Sequence, residues 1–264
     1  MLIGCCGWPE ARARYFEHFP VVELQTTFYQ PPSPELAEKW RSQAPPEFIF
    51  SLKAWQLITH APSSPTYRRL RNPIPPSRRS AYGCFRPTAE VRTAWEHTLA
   101  IARALRAAVI IFQCPASFRQ SAENRKNLAT FFGLIEREGR LLAWEPRGDW
   151  EPAVVRDLCQ RLDLVHCVDP FLTEPTWGQA VYFRLHGRDA YNYDYQYRDE
   201  ELLWLRDLCL RYQGLGRDPI YVMFNNVFMK EDALRFDRLA SSPPGRSSAQ
   251  AARVRSHKPG TPGI

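Results

Sequence analysis

Apolar positions along the chain gather into short, nearly continuous runs at 2–6, 21–25, 48–53, 108–113, 141–145, 164–169, 181–186 and 220–225. Runs of this kind predict strands buried on both faces of a parallel sheet. Between them the period changes to that of helices. The segment 34–44 follows Ser33, an N-cap residue, and carries Pro34 at the first helical position. The segment 88–105 places Val91, Trp95, Leu99, Ala102 and Leu105 at spacings of three and four. In 121–138 a cap Ser121 with Glu123 nearby precedes a stripe of Leu128, Phe131, Phe132 and Ile135. Helical patterns at 151–162, 199–212 and 231–239, with a shorter one at 11–18, complete the set. Strands alternating with helices predict an α/β fold with right-handed crossovers, and eight of them predict a single closed (β/α)8 TIM-type barrel over residues 1–240. An open doubly wound sheet is the alternative, but no GxGxxG follows any strand, which removes its dinucleotide-binding version. Residues 241–264 hold almost no large apolar side chain and predict a disordered tail.

Composition sharpens the picture in three ways. The 264 residues are 44% hydrophobic and 13% aromatic, enough for a full core. No apolar stretch is long enough to span a membrane, and the start Met1-Leu2-Ile3-Gly4 lacks the pattern of a signal peptide. Seven cysteines, without a CxxC pair, read as reduced thiols in a cytoplasmic protein rather than zinc ligands or disulfides. The net charge of +7 is concentrated. Arg246, Arg253, Arg255 and Lys258 give the tail +4, and Arg68, Arg69, Arg71, Arg78 and Arg79 give residues 61–85 +5, which leaves the remainder at −2. The arginine-rich segment follows the third strand and so belongs on the face of a barrel where active sites lie. There it serves either as an anion-attracting rim or as a solvated loop.

Candidate chemistry sits where the strands end. Glu23 and Gln25 close the second, Lys53 the third, Gln113 the fourth, Glu145 the fifth and Asp169 the sixth. Arg184 and His186 close the seventh, with Asn225 and Asn226 after the eighth. Side chains alternate across a strand, so Tyr182, Arg184 and His186 share one face, as do Ser51 and Lys53, and Glu23 and Gln25. Facing inward, these residues converge on one pocket, and such groups need partners when buried. Glu23, Lys53, Glu145 and His186 are the catalytic candidates. Trp8, Tyr29, Gln113, Arg147, Arg184, Asn225 and Asn226 are the substrate-binding candidates. Gln25, Gln113 and Asn226 serve equally well as partners for loop backbone, and the aromatics as roof packing. No HxxxH or HxH spacing and no P-loop pattern occurs. A divalent metal held by Glu145, Asp169 and His186 from separate strands is an open alternative.

These same residues carry a resemblance. Ile3-Gly4-Cys5-Cys6-Gly7-Trp8-Pro9 resembles the IGTSGW opening of the YecE-like family, a domain family of unknown function. Val22-Glu23-Leu24-Gln25-Thr26-Thr27-Phe28-Tyr29 is similar to its VEINSTFY element, and Phe112-Gln113-Cys114-Pro115-Ala116-Ser117-Phe118 to its FQLPPSF element. Phe50-Ser51-Leu52-Lys53 with Ile58-Thr59-His60, Glu145-Pro146-Arg147 with Trp150, Tyr182 to Gly187, and Tyr221 to Asn226 continue it, over about residues 2–238. The resemblance implies a TIM-type barrel and a pocket on Glu23, Lys53, Glu145, Arg147, Arg184, His186 and Asn225. It implies no reaction; nucleic-acid or sugar chemistry enters only by analogy with other barrels. Cys5-Cys6 in place of small hydroxyl residues, Pro146 in place of an aromatic, and the arginine-rich loop depart from the family pattern.

Three functions are therefore expected in turn. The first is an enzyme, a hydrolase or lyase, acting on a small anionic substrate or a nucleic acid. The second is a carbohydrate hydrolase or isomerase built on a carboxylate pair. The third is a barrel that binds nucleic acid without catalysis. No protein partner is indicated.

Overall fold

A computed structural model describes residues 1–188 and 192–241. The expected tail, Ser241 apart, lies outside the described residues. Eight parallel strands are present: β1 (Leu2–Cys6), β2 (Val21–Leu24), β3 (Ile49–Lys53), β4 (Val109–Gln113), β5 (Leu141–Glu145), β6 (Val165–His166), β7 (Val181–Leu185) and β8 (Ile220–Phe224). They pair in the order β6-β5-β4-β3-β2-β1-β8-β7. A parallel bridge between Val168 and Phe183 links the two ends of that order and rounds the sheet into a barrel.

Helices wrap the outside: α1 (Arg12–His18), α2 (Thr26–Tyr29), α3 (Pro34–Gln43), α4 (Gln56–Thr59), α5 (Ala89–Leu105), α6 (Ala122–Leu134), α7 (Pro152–Arg161), α8 (Asp199–Gly214) and α9 (Met229–Ser241). The predicted caps form. Ser33 Oγ accepts the Leu36 amide at 3.3 Å and Ser121 Oγ the Asn124 amide at 3.0 Å, each satisfying a first-turn donor. Two departures from the expected pattern have local causes. The sixth strand shrinks to two residues because the chain changes partner within it: the Cys167 amide bonds to Trp144 of β5, the Val168 amide to Tyr182 of β7. Helix α6 stops at Leu134 rather than 138, ahead of the turn at Glu138 and Gly139, both with positive φ (51° and 73°).

The core has two compartments. Outward-facing strand residues such as Phe50, Phe112, Trp144 and Phe183 pack under the helices. Inward-facing Val21, Val109, Ile111, Ala143, Val165 and Met223 fill the lower barrel, as in a packed barrel without a pore. All seven cysteines are free thiols. No helix among the described residues is long and apolar enough to cross a membrane.

Candidate active site at the strand ends

Stepping by twos along each strand from the apolar interior leads to Glu23 and Gln25, Lys53, Gln113, Glu145, Asp169, Arg184 and His186, and Asn225. The inward parity expected from sequence therefore holds. Gly187 makes the exit from β7: its φ is +86°, and a Cβ there would meet the Asn192 carbonyl oxygen at 1.8 Å. Only glycine lets the chain turn away immediately after His186.

Arg184 is the hub. Its Nε and Nη2 donate to the two Glu23 carboxylate oxygens at 3.0 and 2.9 Å, a bidentate pair, while Nη1 donates to Glu145. The side chains of Arg184, Glu23 and Glu145 are 1%, 0% and 4% exposed, so this is a fully desolvated ion triad. Its remaining acceptor sites are used: Tyr182 donates to Glu23 at 3.0 Å, and Gln25 donates to it as well. The Tyr182 hydroxyl also meets Ser51 at 2.8 Å. Burial disfavours the charged form of both Arg184 and Glu145, but the paired charges outweigh it. The guanidinium is held far above its ordinary range, and Arg147 with Arg184 holds the Glu145 carboxyl well below the usual carboxylate range.

A second chain of contacts runs outward from Glu145. Arg147 Nε donates to Glu145 at 2.8 Å, and its Nη2 lies 2.9 Å from His186 Nε2. Because a guanidinium only donates, Nε2 must accept, and the proton of the neutral ring belongs on Nδ1. Nδ1 faces Asp169 Oδ2 at 3.3 Å, consistent with that tautomer. Asp169 also receives the backbone amides of His186 and Phe171, at 2.9 and 3.0 Å. Burial lowers the imidazole pKa of His186 below its ordinary value, so the ring is neutral near pH 7. Arg147, 18% exposed, carries this network toward solvent.

Lys53 differs from every other charge in the site. It is 5% exposed, yet its ammonium has one hydrogen bond, 3.0 Å to Gln113 Oε1, and otherwise lies 4.1 Å over the ring of Phe28. Among the described residues no carboxylate lies within 4.0 Å of it. Gln113 is fixed in that orientation by its own Nε2, which donates to the Cys114 carbonyl at 2.7 Å. Thr27 anchors the strand end by donating to the Lys53 carbonyl at 2.8 Å. Burial first, and the Arg184 charge second, lower the Lys53 pKa to about 7. His60 lies edge-on to the same Phe28 ring at 4.8 Å, and burial beside Lys53 and Arg147 lowers its pKa to about 3.

Two expected substrate-binding residues do not join the site. After Gly7 (φ 110°) the ring of Trp8 swings to the outer layer, where it meets Tyr15 at 5.0 Å and Phe16 at 5.7 Å. Asn226 Nδ2 donates to the Tyr195 carbonyl at 2.8 Å and to Asp232 at 2.7 Å, fastening the end of β8 to α9, while its buried Oδ1 has no partner among the described residues. Asn225, half-buried, continues the inward row of β8. Tyr29 stands at the rim with the Arg69 guanidinium 3.5 Å over its ring, and the Arg71 amide donates to Gln30 beside it. The arginine-rich segment thus reaches the mouth only in part, since Arg78 turns to Glu90 of α5 at 3.2 Å.

Among the described residues no group of three or more His, Cys, Asp or Glu side chains is placed to hold a metal ion. His186 Nε2 comes to 4.0 Å from Glu145, but two arginines occupy that carboxylate, Arg147 holds the imidazole nitrogen, and Asp169 is committed to amides and Nδ1. Tyr182, Ser51 and His60 enter the site although they were not among the candidates; Tyr182 and Ser51 were legible only as members of an inward row.

Comparison with known proteins places this geometry in context. A family model described as protein of unknown function DUF72 matches residues 2–252. A DUF72 family protein from Enterococcus faecalis V583 is 20% identical, with a TM-score of 0.71 over 92% of this chain and 98% of its own. One from Thermotoga maritima MSB8 is 21% identical, with a TM-score of 0.64 over 92% and 100%. A xylose isomerase domain containing protein from Salmonella typhimurium LT2 is 12% identical, with a TM-score of 0.54 over 91% and 98%. At these identities the likeness is one of fold, that of a TIM barrel. No curated protein matches the chain by sequence.

Proposed function

The chain belongs to the DUF72 family of proteins of unknown function, the family that its sequence resembles under the name YecE-like, and from that premise we propose an enzyme that binds a small anionic substrate at the C-terminal mouth of the barrel, with Lys53 as its acid/base group. The observation that carries this reading is the Lys53 ammonium, buried among the described residues with a single neutral acceptor and no carboxylate within ion-pair range. A buried charge left in that state is costly. A substrate carboxylate or phosphate supplies the missing counter-charge, and the same surroundings let the free amine accept a proton near neutral pH. Arg147, ordered by Glu145 and His186 and partly exposed, offers the second cationic contact. The Glu23–Arg184–Glu145 triad acts as scaffold: both carboxylates accept hydrogen bonds from Arg184, and Glu145 is held below the usual carboxylate range.

That last point ranks the other readings. A glycosidase pair needs one carboxyl with a raised pKa to protonate the leaving oxygen, whereas Glu145 is driven the opposite way. Nucleic-acid binding through the arginine-rich segment rests on exposed side chains, of which Arg78 is weakly paired with Glu90. The test is calorimetric titration with inorganic phosphate and with small carboxylates. Saturable binding is expected, weakened about tenfold in Arg147→Met, the usual scale for one charge-assisted hydrogen bond. Absence of any anion binding, or affinity unchanged in Arg147→Met, would count against the proposal.

A further inference from the structure

An amine adds to a carbonyl only as the free base, and lysines that do so are desolvated or set next to another cation. Lys53 meets both conditions by position. Phe28 covers one side of its ammonium, Gln113 fixes its direction through a neutral acceptor, and among the described residues no carboxylate within ion-pair range holds it protonated. Its other two donor directions have no protein partner among the described residues. The lowered pKa agrees with this placement.

Resting on the reading of the mouth as an anion-binding active site, we propose that Lys53 is a point of covalent attachment, forming an imine with a small aldehyde or ketone that also carries a carboxylate or phosphate. The Nζ lone pair attacks the carbonyl carbon and the C=O π pair moves to oxygen. One Nζ proton passes to that oxygen, giving the carbinolamine. The nitrogen lone pair then expels the hydroxyl, which leaves as water with the second Nζ proton. A C=N bond replaces C=O, one water is released, and no oxidant or reductant is required. The anionic group of the substrate extends toward Arg147, so charge and carbonyl are read by two different side chains.

Reductive trapping on the full-length chain tests this. Glyoxylate with cyanoborohydride at pH 7 adds a carboxymethyl group to any amine that forms an imine, and peptide mass mapping locates it. We expect Lys53 to be modified at least ~10-fold faster than Lys39, Lys126, Lys230 or Lys258, because a group with a pKa near 7 holds roughly 10³-fold more free base than an ordinary lysine. Inorganic phosphate should slow the reaction at Lys53, and acetaldehyde, similar in size but neutral, should modify it less. Modification of the other lysines with Lys53 spared, in protein that still binds phosphate, overturns the imine and leaves the anion site standing. Preferential modification of Lys53 that phosphate does not slow, in protein that binds no phosphate, upholds the imine and removes the anion site instead.

Discussion

Arg184→Met is expected to lower the melting temperature by roughly 10 °C, or to prevent folding outright at pH 7. The side chain lost is 1% exposed and, among the described residues, is the one cation bonded to Glu23, whose carboxylate is fully buried. Removing one partner of a buried ion pair costs about 3–5 kcal/mol, because the charge left behind has neither water nor a counter-ion. Tyr182 and Gln25 still donate to Glu23, and Arg147 still holds Glu145, so the loss falls mainly on Glu23. The triple variant Arg184→Met with Glu23→Gln and Glu145→Gln should recover most of the lost stability. Thermal unfolding across pH 5 to 8 checks this; a single variant as stable as the wild type would mean that the triad is not the scaffold of the mouth.

Lys53→Met is expected to do the reverse, raising stability at pH 6 while removing anion binding. The folded-state pKa of about 7 lies below the ordinary value of 10.5. Between those values the unfolded chain binds the extra proton, so wild-type stability rises with pH across the interval, and the full penalty for burying the charge is felt below about 7. That penalty is on the order of a few kcal/mol. Methionine removes it, at the expense of leaving Gln113 Oε1 without its donor, worth about 1–3 kcal/mol. The net gain should be a few degrees in melting temperature at pH 6 and should disappear, or reverse, near pH 10. Such a gain is the mark of a residue kept for function against stability. Loss of stability at pH 6 would instead identify Lys53 as a paired structural cation.

Much of this was readable along the chain, and for identifiable reasons. Eight apolar runs give the strand count, and alternation within 181–186 puts Tyr182, Arg184 and His186 on one inward face. What alternation cannot supply is which inward groups meet. That Arg184 grips Glu23 and Glu145, 161 and 39 residues away, is decided by how the strands tilt around the barrel. The same holds for Lys53, whose significance is that its partner among the described residues is neutral, a property with no sequence signature. Trp8 lies just after a strand end, a position that does not show how the positive φ of Gly7 turns its ring to the outer layer. For Asn226 the sequence leaves a structural and a binding role equally open, and its partner Asp232 on α9 supports the structural one. Charge counting over 61–85 assigned all five arginines to one face, whereas Glu90 of the following helix draws Arg78 away.

The central claim is that Lys53 is a buried amine held by a neutral acceptor and poised near neutrality to meet an anion. Heteronuclear NMR of protein labelled with 13C at the lysine ε-carbons measures it directly. One lysine signal, absent in Lys53→Arg, should titrate with a midpoint of about 7 and move upward when phosphate is added. A Lys53 midpoint at the ordinary lysine value, unmoved by phosphate, would contradict the account.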